Sequence, residues 1–151
     1  MTTIAATRDA IAGDRMVSIE NKSTWYPTPK VRRIKGALIG AAGDGGDCVR
    51  FLDWAETGFA PSKRPKFVTR SDDEDCATLL MLTAEGIYFM MQDDPCPERV
   101  SSDFYAIGSG GKAALGALHA GATLERAMEI AFQIDPYTRP PFDILKLDAG
   151  E

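Results

Sequence analysis

The chain has 151 residues, 44% of them apolar and 26% charged, and a net charge of −5. That length suits one globular domain spanning residues 1–151 with a full core. The acidic balance lacks the positive footprint of a nucleic-acid binder, so no nucleic-acid partner is expected. No apolar run approaches the roughly 18 residues of a membrane helix. Residues Met1 to Asp9 show no basic segment followed by an apolar stretch, so they do not read as a signal peptide. A cytoplasmic protein without a membrane partner is expected.

Residues 2–7 read as a short strand, Arg8-Asp9 as a turn, and residues 10–19 as the hairpin partner. Residues 20–29 are polar, hold Pro27 and Pro29, and read as a loop with Trp25 and Tyr26. Lys30 to Ile34 is a short extended piece, and Ala37 to Ala42 a small apolar strand. Residues 44–57 read as a helix whose buried face is Val49, Phe51, Leu52 and Ala55, ended by Gly58. Residues 59–75 carry Pro61, Pro65 and the acidic run Asp72 to Asp75, which reads as a solvated connection.

Two strands follow, around Ala77–Thr83 and Ile87–Gln92, joined by Ala84-Glu85-Gly86. Their continuous apolar runs suggest strands covered on both faces. Residues 93–103 are polar and irregular, and Phe104 to Gly108 is another strand. A helix over 111–120 follows, with Gly121 at its end. Thr123 caps a second helix whose stripe is Leu124, Ala127, Met128, Ala131 and Ile134. Asp135-Pro136 stops it, and Phe142 to Leu147 is the last strand. Long apolar strands with grouped helices indicate an α+β chain with sheets sandwiched between helical layers.

The common catalytic arrangements find little support. The single histidine, His119, lies in the alanine-rich helix and reads as a structural or interface residue. Cys48, Cys76 and Cys96 form neither a disulfide framework nor a metal pair, and read as reduced thiols. Gly108-Ser-Gly-Gly-Lys112 resembles a phosphate loop, but Ala106 stands where its first glycine belongs and Ala113 where Ser or Thr belongs. The N-terminus offers more. A small residue after Met1 favours removal of that Met, which would give Thr2 a free α-amine beside its own hydroxyl. An α-amine titrates near pH 8 and can act as general base for that hydroxyl.

Six segments in order sharpen this reading: Met1-Thr2-Thr3-Ile4, Ala12-Gly13-Asp14, Lys30-Val31-Arg32-Arg33, Leu38-Ile39-Gly40, Ala106 to Gly111, and Asp135 with Thr138. Together they resemble the proteasome-like N-terminal nucleophile hydrolases, the HslV-type peptidases and proteasome β subunits, from residue 2 to about residue 147. The resemblance implies a four-layer αββα sandwich of two antiparallel sheets between helices. It implies Thr2 as nucleophile, Lys30 beside it, and Asp14 pairing with Lys30. It also implies an oxyanion hole at the Gly40 N–H and a supporting network of Ser109, Asp135 and Thr138.

The implied function is a threonine-type endopeptidase subunit that cleaves peptides or unfolded proteins through an acyl-enzyme. It would work in a self-compartmentalising homo-oligomeric ring fed by a separate ATP-dependent unfoldase. An amidase of small substrates, or a non-catalytic subunit on the same fold, are the alternatives. No cofactor is implied for hydrolysis, and a structural cation around Asp135 is left open. The chain departs from the family pattern in residues 59–75, where a second long helix is shortened or missing.

Overall fold

The computed structural model describes residues 2–19, 22–25, 29–70, 72–94 and 96–148. The elements are β1 (Thr3–Thr7), β2 (Ala10–Gly13), β3 (Met16–Ile19), β4 (Lys22–Trp25), β5 (Val31–Ile34), β6 (Ala37–Ala42), α1 (Gly45–Glu56), a 3₁₀ turn (Pro61–Lys63), β7 (Thr78–Thr83), β8 (Gly86–Met91), β9 (Glu98–Arg99), β10 (Phe104–Gly108), α2 (Gly111–His119), α3 (Leu124–Ile134) and β11 (Asp143–Lys146). One antiparallel sheet has the order β10-β1-β2-β11, the other β5-β6-β7-β8-β9, and β3 with β4 forms a separate ribbon.

Strand periodicity divides the apolar residues among three seams. Ile4 and Ala6 of β1 face the second sheet with Ile11, Leu80, Leu82 and Ile107. Ala5 points the other way, with Ala12, against Ala114, Ala127, Met128 and Ala131 of α2 and α3. The small side chains let this helical layer lie close to the sheet. On the far side, Phe51, Leu52, Trp54 and Ala55 of α1 cover Ile39, Leu79 and Met90. Each large apolar side chain buried here contributes roughly 1.5–3 kcal/mol. The result is an α+β sandwich of two antiparallel sheets with helices on both outer faces. The α1 side is thin: among the described residues, only a three-residue 3₁₀ turn stands between α1 and β7.

Several expectations need correction. Residues 10–19 are not one strand. Asp14 accepts the Met16 N–H at 3.3 Å, an Asx-type turn, and the Thr3 N–H at 3.1 Å. These bonds bend the chain out of the first sheet, and β3 pairs with β4 instead. Lys22–Trp25 is therefore a strand rather than loop, while residues 26–28, with Tyr26 and Pro27, lie outside the described residues, as does Met1. The β7–β8 turn has two residues, because Gly86 already pairs with Thr83. Val49 and Ile134 fall off their helical stripes, at 44% and 67% exposure; Trp54 takes the buried place on α1.

The connection over 59–75 is exposed along most of its length, yet it is anchored. The buried Asp47 side chain accepts the N–H groups of Val68 and Thr69, the Thr69 hydroxyl and the Arg50 guanidinium. Gln92 completes the anchor, donating to the Thr69 carbonyl at 2.7 Å and accepting the Ala77 N–H at 2.7 Å. Burial pushes the Asp47 carboxyl up, but these donors together hold it below its ordinary value of 3.8. Its stabilisation is therefore complete above the ordinary carboxylate value and is lost as pH falls through the lower folded value. Asp47→Ala is expected to cost about 2–3 kcal/mol and to speed tryptic cleavage at Lys63, Lys66 or Arg70. An unchanged digestion pattern would show that the connection is held by other contacts.

Candidate active site

Five chain segments converge on the start of β1. Thr2 precedes that strand, Asp14 follows β2, and Lys30 precedes β5. The Ala42-Gly43 end of β6 and the Gly108-Ser109 end of β10 close the sides. Thr2, Asp14 and Lys30 are all buried, at 5%, 0% and 7% exposure. Their burial means that every polar atom must find a partner inside the protein.

Among the described residues, the Lys30 ammonium donates to Thr2 Oγ1 at 2.8 Å, Asp14 Oδ1 at 3.0 Å and the Met16 carbonyl at 2.6 Å. The Asp14 carboxylate accepts Lys30 together with the backbone N–H groups of Thr3, Met16 and Arg139. Burial lowers the Lys30 amine below its ordinary value of 10.5, with Asp14 opposing. Burial likewise raises the Asp14 carboxyl, with Lys30 and the amide donors opposing. An ammonium 2.8 Å from a hydroxyl oxygen stabilises negative charge that develops there.

A second network lies on the other side of Thr2. Asp135 Oδ2 accepts the hydroxyls of Ser109 at 2.7 Å and Thr138 at 2.6 Å. Thr138 has one hydroxyl proton and gives it to Asp135. The 2.6 Å contact between Thr138 and Thr3 is therefore donated by Thr3. Thr3 Oγ1 in turn accepts the Gly110 N–H at 3.1 Å. The Ser109 N–H holds the Thr2 carbonyl at 2.9 Å. Thr2 is thus fixed through its backbone by one network and through its side chain by the other. Thr3, absent from the sequence expectations, links them: its N–H binds Asp14 and its hydroxyl binds Thr138.

Gly40 is not at this cleft. It lies inside β6, opposite Val31 and Leu80, and a side chain there would meet Ile4 Cγ2 at 2.7 Å and Val31 Cγ1 at 3.0 Å. It is a packing glycine between the sheets. Gly43, three residues on, lines the cleft with Thr2. Its φ of +129° and the Cys76 carbonyl, 2.6 Å from where a Cβ would stand, exclude other residues. Gly108 was also missed: an added Cβ would sit 1.8 Å from the Thr2 carbonyl oxygen. The visible signal for Gly43 was its place between an apolar strand and the N-cap Asp44.

Thr2 lies where two hollows meet. One, about 310 Å³, runs along Gly43, Glu74, Asp75, Gly108 and Ser109. The other is smaller and is bounded by Lys30, Ala41, Cys48, Val49 and Leu52. Burial pushes the Cys48 thiol up to about 12, so it is not a nucleophile near neutral pH. His119 is exposed and packs edge-on against Phe104 at 4.8 Å, in the helical layer. Among the described residues, no group of three or more His, Cys, Asp or Glu side chains is placed to hold a metal ion, and no helix is long and apolar enough to cross a membrane.

No protein-family model matches the chain, and no curated protein matches it. Solved structures do. Eukaryotic HslV from Trypanosoma brucei aligns over 97% of this chain and 99% of its own, with a TM-score of 0.73 and 26% identity. Thiobacillus denitrificans BPH aligns over 97% and 98%, with a TM-score of 0.74 and 17% identity. The same protein in complex with Epoxomicin gives 0.71 and 15% identity over 97% and 98%, and this pair carries the fold alone. An α+β sandwich matched along nearly its whole length by an HslV gives this chain the fold of the HslV and proteasome β-like N-terminal nucleophile hydrolases.

Proposed function

We propose that the chain is a threonine-type endopeptidase acting through an acyl-enzyme on Thr2 once Met1 has been removed. The observation that carries this reading is the buried Lys30 ammonium, 2.8 Å from Thr2 Oγ1 and 3.0 Å from Asp14. In the proposed reaction the Thr2 α-amine takes the hydroxyl proton as Oγ1 attacks the scissile carbonyl. The same proton passes to the leaving amine, and the acyl ester remains on Thr2. Water, activated by the amine, then cleaves the ester and regenerates the hydroxyl.

Lys30 stabilises developing charge on Oγ1, and Asp14 keeps Lys30 charged and oriented. The Gly43 N–H takes the oxyanion role expected for Gly40. Ser109, Asp135 and Thr138 act as positioning residues that hold the Thr2 backbone through Thr3 and the Ser109 amide. The likeness to HslV supports a homo-oligomeric ring served by a separate ATP-dependent unfoldase.

The test is the intact mass of the cell-expressed protein before and after treatment with a peptide epoxyketone. Such a warhead needs both the hydroxyl and the free amine of an N-terminal threonine. Loss of Met1 and a single adduct mapping to Thr2 are expected. Retained Met1 with no adduct would overturn the catalytic reading.

A further inference from the structure

The amide proposed to receive the oxyanion takes its position from the strand beside it. Gly43 follows the last residue of β6, Ala42, which pairs with Thr78. Thr78 pairs in turn with Met91. Continued one step beyond the ladder, this register sets Gly43, Ala77 and Gln92 side by side across three chain segments. Gly43 lies bare against the middle one. A Cβ there would meet the Cys76 carbonyl at 2.6 Å, the Asp75 carbonyl at 2.8 Å and Ala77 Cα at 2.9 Å. Beyond it, the Asp44 N–H donates to the Asp75 carbonyl at 2.7 Å. The Gly43 backbone is thus fixed on both sides by residues 75–78.

One buried side chain holds those residues in place. Gln92 is 3% exposed and lines neither hollow beside Thr2. Its Oε1 accepts the Ala77 N–H at 2.7 Å, and its Nε2 donates to the Thr69 carbonyl at 2.7 Å. A reversed amide would set donor against donor and acceptor against acceptor, so only this orientation satisfies both partners. Ala77 is fully buried, so its N–H needs that acceptor. Thr69 is itself moored to the first turn of α1, its N–H and hydroxyl both donating to Asp47. Gln92 is the strut between that mooring and the residues packed on Gly43.

We infer that Gln92 is a positioning residue for catalysis: through Ala77 it holds residues 75–77 against Gly43 and so aims the Gly43 N–H at the oxyanion. The inference rests on the peptidase reading and on the oxyanion role given to Gly43. A donor displaced by about 1 Å leaves substrate binding intact but weakens transition-state stabilisation, at a cost of about 10- to 100-fold in rate.

Gln92→Met keeps the length of the side chain and removes both amide bonds. In the processed protein it is expected to lower kcat about 10- to 100-fold, with KM changed by less than about twofold. A peptide aldehyde reads the same donor. Its carbonyl carbon bonds to Thr2 Oγ1, and the former carbonyl oxygen takes up the hydroxyl proton where the oxyanion would form. Aldehyde affinity is expected to fall by the same factor as kcat. Thr69→Val breaks the hydroxyl bond to Asp47 but leaves the Thr69 carbonyl and Ala77 in place. It is expected to lower the melting temperature and spare both readouts. With glycine-selective labelling, the Gly43 amide resonance is expected to move in Gln92→Met and not in Thr69→Val. Should Gln92→Met fail to fold, Gln92→Asn, one methylene too short to reach both partners, carries the same expectations. Unchanged kcat and aldehyde affinity in the Gln92 variant, or equal losses in Thr69→Val, would overturn the inference. A wild type that neither cleaves peptides nor binds the aldehyde would instead sink the peptidase reading. A Gly43 resonance still moved by Gln92→Met would then show the strut standing without a catalytic use.

Discussion

Thr2→Ala is expected to lower peptide cleavage at least about 10³-fold while leaving the protein folded. The side chain accepts a single hydrogen bond, from Lys30. The backbone bond that seats the residue, Ser109 N–H to the Thr2 carbonyl, does not depend on the hydroxyl. Leaving the buried ammonium one acceptor short costs roughly 1–3 kcal/mol, which a thermal melt will register as a modest shift. Thr2→Ser keeps the hydroxyl and the amine and is expected to retain measurable cleavage. A lysine inserted between Met1 and Thr2 separates the two catalytic requirements. It keeps Met1 in place, leaves the Thr2 hydroxyl beside Lys30, and removes the free amine. That variant is expected to be as silent as Thr2→Ala. If it cleaves peptides at the wild-type rate, the α-amine is not the base, and Lys30 becomes the better candidate.

Much of the fold was legible because its signals are local. Phe104 to Gly108 is an apolar run closed by a glycine, and it forms β10 with those bounds. Thr123 followed by a helical stripe fixed the start of α3, and the Thr123 hydroxyl does accept the Arg126 N–H. The break at Asp14 was not legible. It is made by bonds to Thr3 and Arg139, which lie 11 and 125 residues away. The two glycines of β6 and its exit show the same limit. Gly40 and Gly43 both close apolar stretches in sequence. Only the neighbouring strands reveal that one makes room for Ile4 and the other for the Cys76 carbonyl. The order of matching segments indicated Ser109, Asp135 and Thr138, and the structure brings all three together. It gave no hint that Thr3 would tie them to Asp14.

The Lys30–Asp14 pair should separate stability from chemistry most clearly. Asp14→Ala removes the acceptor of one ammonium and three amide N–H groups and leaves a buried cation without its partner. A loss of about 3–5 kcal/mol is expected, or roughly 10 °C in melting temperature for a domain of this size. Lys30→Met removes the ammonium but keeps the volume, and Asp14 retains its amide donors, so a smaller loss of stability is expected. Both changes are expected to lower kcat by about 10³-fold or more, since neither leaves an oriented cation beside Thr2 Oγ1. The pH dependence adds a sign that packing alone would not produce. Burial lowers the Lys30 amine from 10.5, so the unfolded chain holds this proton more tightly than the folded one. The Lys30 contribution to stability is therefore greatest above 10.5 and is lost as pH falls through the folded value. Peptide cleavage needs the ammonium and must fall as pH rises across that same window. The unfolding free energy of wild type minus that of Lys30→Met, followed alongside kcat on the alkaline limb, should show the two moving in opposite directions. Parallel decline of both would mean that Lys30 only supports the fold, and that the charge beside Thr2 is not used in the chemistry.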